Sequence, residues 1–239
     1  MQRRQWIAWT AALFAGASLA GAQVTPAKPG ANPGMSTTPS TATTTAAPAA
    51  ARRAPSPAGM AEAVVGGSWS APDKDGNRRY EGGKWIEVVY SRPILKGRQD
   101  IFGKGADYGK TVTGGAPVWR AGANAATRLK TEVPLEIGGK RIAAGEYDLF
   151  VDLKESGWTL IVSTQPAQEK YDPSDKTRIW GSYGYDPKFD VVRVPMAMMK
   201  PAVSIEQFTI GFADMSDKAG KLAMAWGNTA AVVPFTVAQ

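Results

Sequence analysis

From about Met60 onward the chain is a succession of short runs rich in β-branched and aromatic residues, each closed by Gly, Pro, Asp or Asn. Runs of about six residues are too short for a stable buried helical face but long enough to cross a sheet. Residues 85–90 (WIEVVY) put Ile86, Val88 and Tyr90 on one face. Leu129, Thr131 and Val133 alternate with Lys130 and Glu132. Residues 135–137 and 140–142 flank Gly138-Gly139, a two-residue hairpin signal. Tyr147, Leu149, Val151 and Leu153 share one side, with Asp148 and Asp152 on the other. Glu155-Ser156-Gly157 turns the chain into residues 158–162, and later runs cover 191–196, 208–212, 222–226 and 231–237. About nine evenly spaced strands with turn signals predict an all-β fold, an antiparallel β-sandwich or flattened barrel. Residues 60–239 are read as one such domain. The longest irregular stretch is 171–187, a length that compact domains reserve for functional or mobile loops.

The first 59 residues are of another kind, with no Asp or Glu among them. Arg3-Arg4 precedes an uncharged apolar stretch, residues 6–20, and Ala20-Gly21-Ala22 supplies small residues for a peptidase. That order predicts a secretory signal peptide, 1–22, cut after Ala22. Residues 23–59 are Pro, Ala, Thr, Ser and Gly with few large apolar side chains, a composition that predicts a disordered linker. The expected location is periplasmic or secreted, with no membrane span once the signal is removed.

Charge and missing residue types narrow the chemistry. The net charge is +7, but five of the 28 basic residues precede Met60, leaving 23 basic against 21 acidic in the domain. A near-neutral domain lacks the dense basic face that nucleic acid requires. There is no Cys and no His. Disulfides, thiolate zinc sites, thiol nucleophiles and the Ser-His-Asp triad are excluded. Any catalysis would rest on Asp, Glu, Lys, Tyr, Ser or Arg.

Two groups of residues are candidates for ligand binding. Arg92, Arg98, Tyr108, Trp119, Arg120 and Asn124 lie among Gly and Pro and could grip a carboxylate, phosphate or sugar ring. The alternative is that the arginines pair with internal carboxylates and order their loops. Trp180 and Tyr183, in the run WGSYGY, could stack on a carbohydrate or pin their loop to the domain. Asp73-Lys74-Asp75-Gly76-Asn77 departs from the calcium-loop pattern and reads as a turn. Met196, Met198, Met199, Met215 and Met224 read as packing rather than copper ligands. No metal or cofactor is assigned.

In order and spacing, many segments resemble a bacterial exported family known as domain of unknown function 2911. They include Tyr90-Ser91-Arg92-Pro93, Lys96-Gly97-Arg98, Ile101-Phe102-Gly103 and Tyr108-Gly109-Lys110. Residues 118–127 (VWRAGANAAT), 144–150 (AGEYDLF), 180–186 (WGSYGYD), 206–210 (EQFTI) and 234–237 (PFTV) continue the match. The resemblance implies export and a β-sandwich and brings no activity. Two departures stand out: Ala125 occupies a position where members typically carry Glu, and residues 111–117 look like an insertion. The functional expectation is a non-catalytic ligand-binding or envelope-interaction module for a glycan, another envelope component, or an anionic or polar ligand. The alternative is a hydrolase using carboxylate or Tyr chemistry.

Overall fold

A computed structural model describes residues 54–238. The signal peptide and most of the linker expected from the sequence lie outside the described residues. The described part is two antiparallel sheets and a small hairpin. It opens with β1 (Ala58–Val65), which begins inside the stretch read as linker, then the hairpin β2 (Ser68–Trp69) and β3 (Tyr80–Glu81), then β4 (Lys84–Ser91). After a loop with one short helix (Lys110–Thr113) come β5 (Thr127–Thr131), β6 (Leu135–Ile137), β7 (Lys140–Ile142), β8 (Gly145–Lys154) and β9 (Gly157–Ser163). A second long loop leads to β10 (Asp190–Pro195), β11 (Ala197–Met199), β12 (Ile205–Ala213), β13 (Ala219–Gly227) and β14 (Thr229–Val237).

The first sheet runs β1-β4-β5-β8-β9-β10. The second runs β12-β13-β14-β6-β7, with β11 sharing the β14 edge. Neither closes into a barrel, so the sandwich is the observed form of the expected all-β fold. Fourteen strands stand where about nine were expected, ten of them at the runs read from the sequence. The added ones are β1, β2, β3 and β11, whose sequences are short or rich in Ala and Gly.

Local chemistry explains the sharpest features. Gly138 and Gly139 take φ of +58° and +73°, the left-handed values a two-residue hairpin between β6 and β7 requires. Asp73 folds the β2–β3 turn, its carboxylate accepting from Asp75 N and Asn77 N at 3.0 and 2.8 Å. The motif read as a turn is therefore a turn.

Between the sheets, Ile86, Val88, Leu149, Leu160 and Val162 meet Leu135, Ile137, Phe208, Met224 and Val233 in one core. Burying a side chain of this size contributes about 1.5–3 kcal/mol relative to exposure. The Tyr90 hydroxyl crosses to β12, donating to Ile210 O at 3.2 Å and accepting from Ile210 N at 2.9 Å. The outer face of the first sheet is partly roofed. Phe150 and Ile161 are buried there under Val118, Ile179 and Tyr185, so the second long loop covers what a simple sandwich would leave wet.

Candidate functional site

The sequence candidates do not converge on one place. Trp119 is fully buried, its ring centroid 4.9 Å from Phe208 and 5.8 Å from Trp158, and its indole donates to Gly122 O at 3.0 Å. It belongs to an aromatic core. Arg92 donates from Nε to Phe208 O at 3.3 Å and from Nη2 to Thr209 Oγ1 at 3.4 Å, tying the end of β4 to β12. Arg120, 8% exposed, donates to Asn124 O at 2.7 Å and lies 4.9 Å from the Tyr183 ring centroid. No carboxylate among the described residues lies within ion-pair distance of it. Asn124 serves through its carbonyl, at a left-handed φ of +61°. Arg98 donates to Leu95 O at 3.0 Å and to Ile94 O. The arginines therefore order their loops, as one reading expected, but by capping backbone carbonyls rather than by pairing with acids. Irregular backbone leaves carbonyls in need of donors, and a guanidinium supplies several.

Trp180 and Tyr183 form a latch more than a platform. Tyr183 presents one face to Arg120 and donates its hydroxyl to Gly114 O at 3.0 Å. Trp180 packs 5.4 Å from Tyr171. Gly181 takes a left-handed φ of +62° that favours glycine, and a Cβ there would press on the Arg120 guanidinium, 2.3 Å from Nη1. The segment that looks inserted, residues 111–117, thus docks against the second long loop.

Arg98 and Tyr108 are brought together. They line a cavity of about 170 Å³ at the end of the sandwich where β4 exits, β12 enters and β13 turns into β14. The loop after β4 makes one wall. Its backbone pairs with β12 where that strand slips register against β13, through Phe208 N to Pro93 O at 2.9 Å and Leu95 N to Glu206 O at 2.8 Å. Asp100, Ser204 and Asn228 add polar lining. The Tyr108 hydroxyl accepts from Trp158 Nε1 at 2.8 Å, which leaves its own proton to give.

Trp226, absent from the sequence candidates, completes the cavity. It is 3% exposed, and its indole nitrogen has no hydrogen-bond partner. The Arg98 guanidinium carbon lies 5.7 Å from its ring centroid. With Nε and Nη2 committed to carbonyls, Nη1 of Arg98 remains uncommitted. The arrangement is a positive group and a phenol O–H, with the Trp226 ring in the wall, around a space large enough for several waters or a small oxyanion. Sequence reasoning missed Trp226 because nothing in residues 222–226 separates it from core packing.

A second polar constellation was also missed. Arg128 stands on the outer face of the first sheet among Asp148 (3.6 Å), Glu146 (4.0 Å) and Glu169. Asp148 is 4% exposed, and burial pushes its carboxyl up to about 6 despite the neighbouring guanidinium. Ala125 lines a hollow with Arg128, Glu146 and Glu169. Nearby, Tyr185, Asp190, Arg193 and Asp152 form a linked network, and burial with the Asp190 hydrogen bond raises the Tyr185 hydroxyl well above its usual range. No group of three metal-ligating side chains occurs among the described residues. No described helix is long and apolar enough to cross a membrane.

Fold and cavity together describe a β-sandwich with a small polar end pocket. The family model described as a protein of unknown function (DUF2911) matches residues 72–235, and the chain belongs to that family. No curated protein and no solved structure matches the chain.

Proposed function

We propose that this chain is an exported, non-catalytic binding module whose end cavity takes the carboxylate or phosphate end of a small polar ligand. One observation carries the reading: Arg98 spends Nε and Nη2 on carbonyls and keeps Nη1 free, at a cavity it shares with the Tyr108 hydroxyl. A ligand oxygen accepting from Nη1 of Arg98 would gain a charge-assisted hydrogen bond. The leader and a linker free of acidic residues support export, and a near-neutral domain suits a small ligand better than a polyanion.

Isothermal titration with inorganic phosphate and with succinate tests the reading. Saturable binding is expected to at least one of them, weakened at least tenfold in Arg98→Gln. That factor corresponds to losing one charge-assisted hydrogen bond. Absence of binding to both, or equal binding by the variant, would remove the proposal.

The hydrolase alternative draws on one observation, the Asp148 carboxyl that titrates near 6, in the range useful to a general acid. Shortening of an oligosaccharide by the full chain, lost in Asp148→Asn, would replace the binding reading with it.

A further inference from the structure

The outer face of the first sheet carries a groove that the end cavity does not use. Two hollows of about 250 and 310 Å³ adjoin there, sharing Arg128, Glu146 and Glu169. Strand register explains the floor. Val89, Arg128, Asp148 and Ser163 stand in one row across β4, β5, β8 and β9. Glu87, Lys130 and Glu146 stand in the next. The second long loop makes the wall, with Gln165 and Gln168. Asp148 lines this groove nine-tenths buried, and its Oδ1 accepts no hydrogen bond.

An open aromatic surface continues the face past Glu87. Trp85 shares the outward side of β4 with Glu87 and Val89 and is 50% exposed. Its cross-strand partner is Val64. A Cβ on Gly83 would touch both Val64 and the Tyr80 ring, so Tyr80 stands over that same spot. Trp69, 64% exposed, packs edge-on to Tyr80 at 5.4 Å.

We infer that this groove and its aromatic margin bind a neutral polyhydroxylated chain, that is, an oligosaccharide. A peptide would need free backbone groups, and on a sheet face those are spent in the ladders. A simple anion or cation would meet its own sign, because Arg128 and Lys130 alternate with Glu87, Glu146, Asp148 and Glu169. Sugar hydroxyls donate to carboxylates and accept from guanidinium and amide groups at once, so a floor of mixed polarity suits them. Sugar rings also present apolar faces that stack on exposed Trp and Tyr. Two strand spacings of about 4.8 Å separate Asp148 from β4, so the occupant is longer than one sugar unit.

Native gel electrophoresis of the full chain in gels containing soluble dextran, laminarin, glucomannan or xylan tests this, with alginate as a polyanionic comparison. Retardation by at least one neutral polysaccharide is expected. The dissociation constant should rise at least fivefold in Glu169→Ala and in Trp85→Ala, two exposed positions whose replacement spares the core, and stay unchanged in Arg98→Gln. Retardation in no neutral gel, retardation by alginate alone, or retardation that survives both variants would overturn the inference. The Arg98→Gln control keeps its failure separate from failure of the end-cavity reading.

Discussion

At Asp148 a carboxyl is held nearly out of water with one guanidinium 3.6 Å away, and desolvation outweighs the pair. Its folded pKa of about 6 stands above the ordinary 3.8, so the folded state holds the proton more tightly than the unfolded state between those values. Stability from this group is therefore fully present below pH 3.8 and is lost as pH rises through about 6, amounting to roughly 3 kcal/mol. Asp148→Asn removes the titration while Arg128 keeps Glu146 and Glu169. Measured by denaturant unfolding, the variant's stability relative to the parent should grow by up to about 3 kcal/mol between pH 4 and pH 7. A difference that stays flat, or moves the other way, would show that Asp148 is not a buried strained acid. Alternation in residues 147–153 places Asp148 on the side opposite the apolar residues, with no local sign that this side is covered. It is dry because the second long loop lies over that face, and contacts so distant in sequence leave no mark on the local pattern.

Among the elements, the second long loop is set by one buried side chain. Gln168 Nε2 shares its two protons among Asp172 O, Asp175 O and Arg178 O at 3.0–3.2 Å, and its Oε1 accepts from Asp172 N at 2.8 Å. Asp172 and Asp175 fold the rest, their carboxyls held below the usual range by hydrogen bonds from Ser174 and Thr177. Gln168→Ala should cost about 2–4 kcal/mol locally, since several buried groups lose partners. Amide exchange of residues 169–178 should then accelerate strongly while the strands stay protected; unchanged exchange would contradict this role for Gln168. The β6–β7 hairpin and β4, β8 and β9 were legible in the sequence because Gly-Gly and strict alternation are local signals. β1 was not, since AGMAEAVV is strand only because the edge of β4 accepts it in full register from Ala58–Ser91 to Val65–Lys84. The cavity was half legible. Arg98 and Tyr108 stand out among loop glycines, whereas Trp226, Ser204 and Asn228 arrive from the far end of the chain.

For the whole molecule, the sandwich offers two separate polar surfaces, an end cavity proposed to take an oxyanion and an outer sheet face proposed to take a sugar chain. The core behind both is continuous: Phe102, Trp119, Trp158, Phe208 and Trp226 pack ring to ring between the cavity and the two sheets. Filling the cavity should therefore be sensed at Trp226 before anywhere else. The most direct test follows the indole N–H signals of the nitrogen-15-labelled chain by NMR during titration with phosphate and with succinate, Trp226 being assigned through Trp226→Phe. The Trp226 signal should shift saturably with one of them, with Trp69 and Trp85 unmoved, and the shift should vanish in Arg98→Gln. A Trp226 signal that stays fixed with both, or moves equally without Arg98, would contradict a binding role for the end cavity.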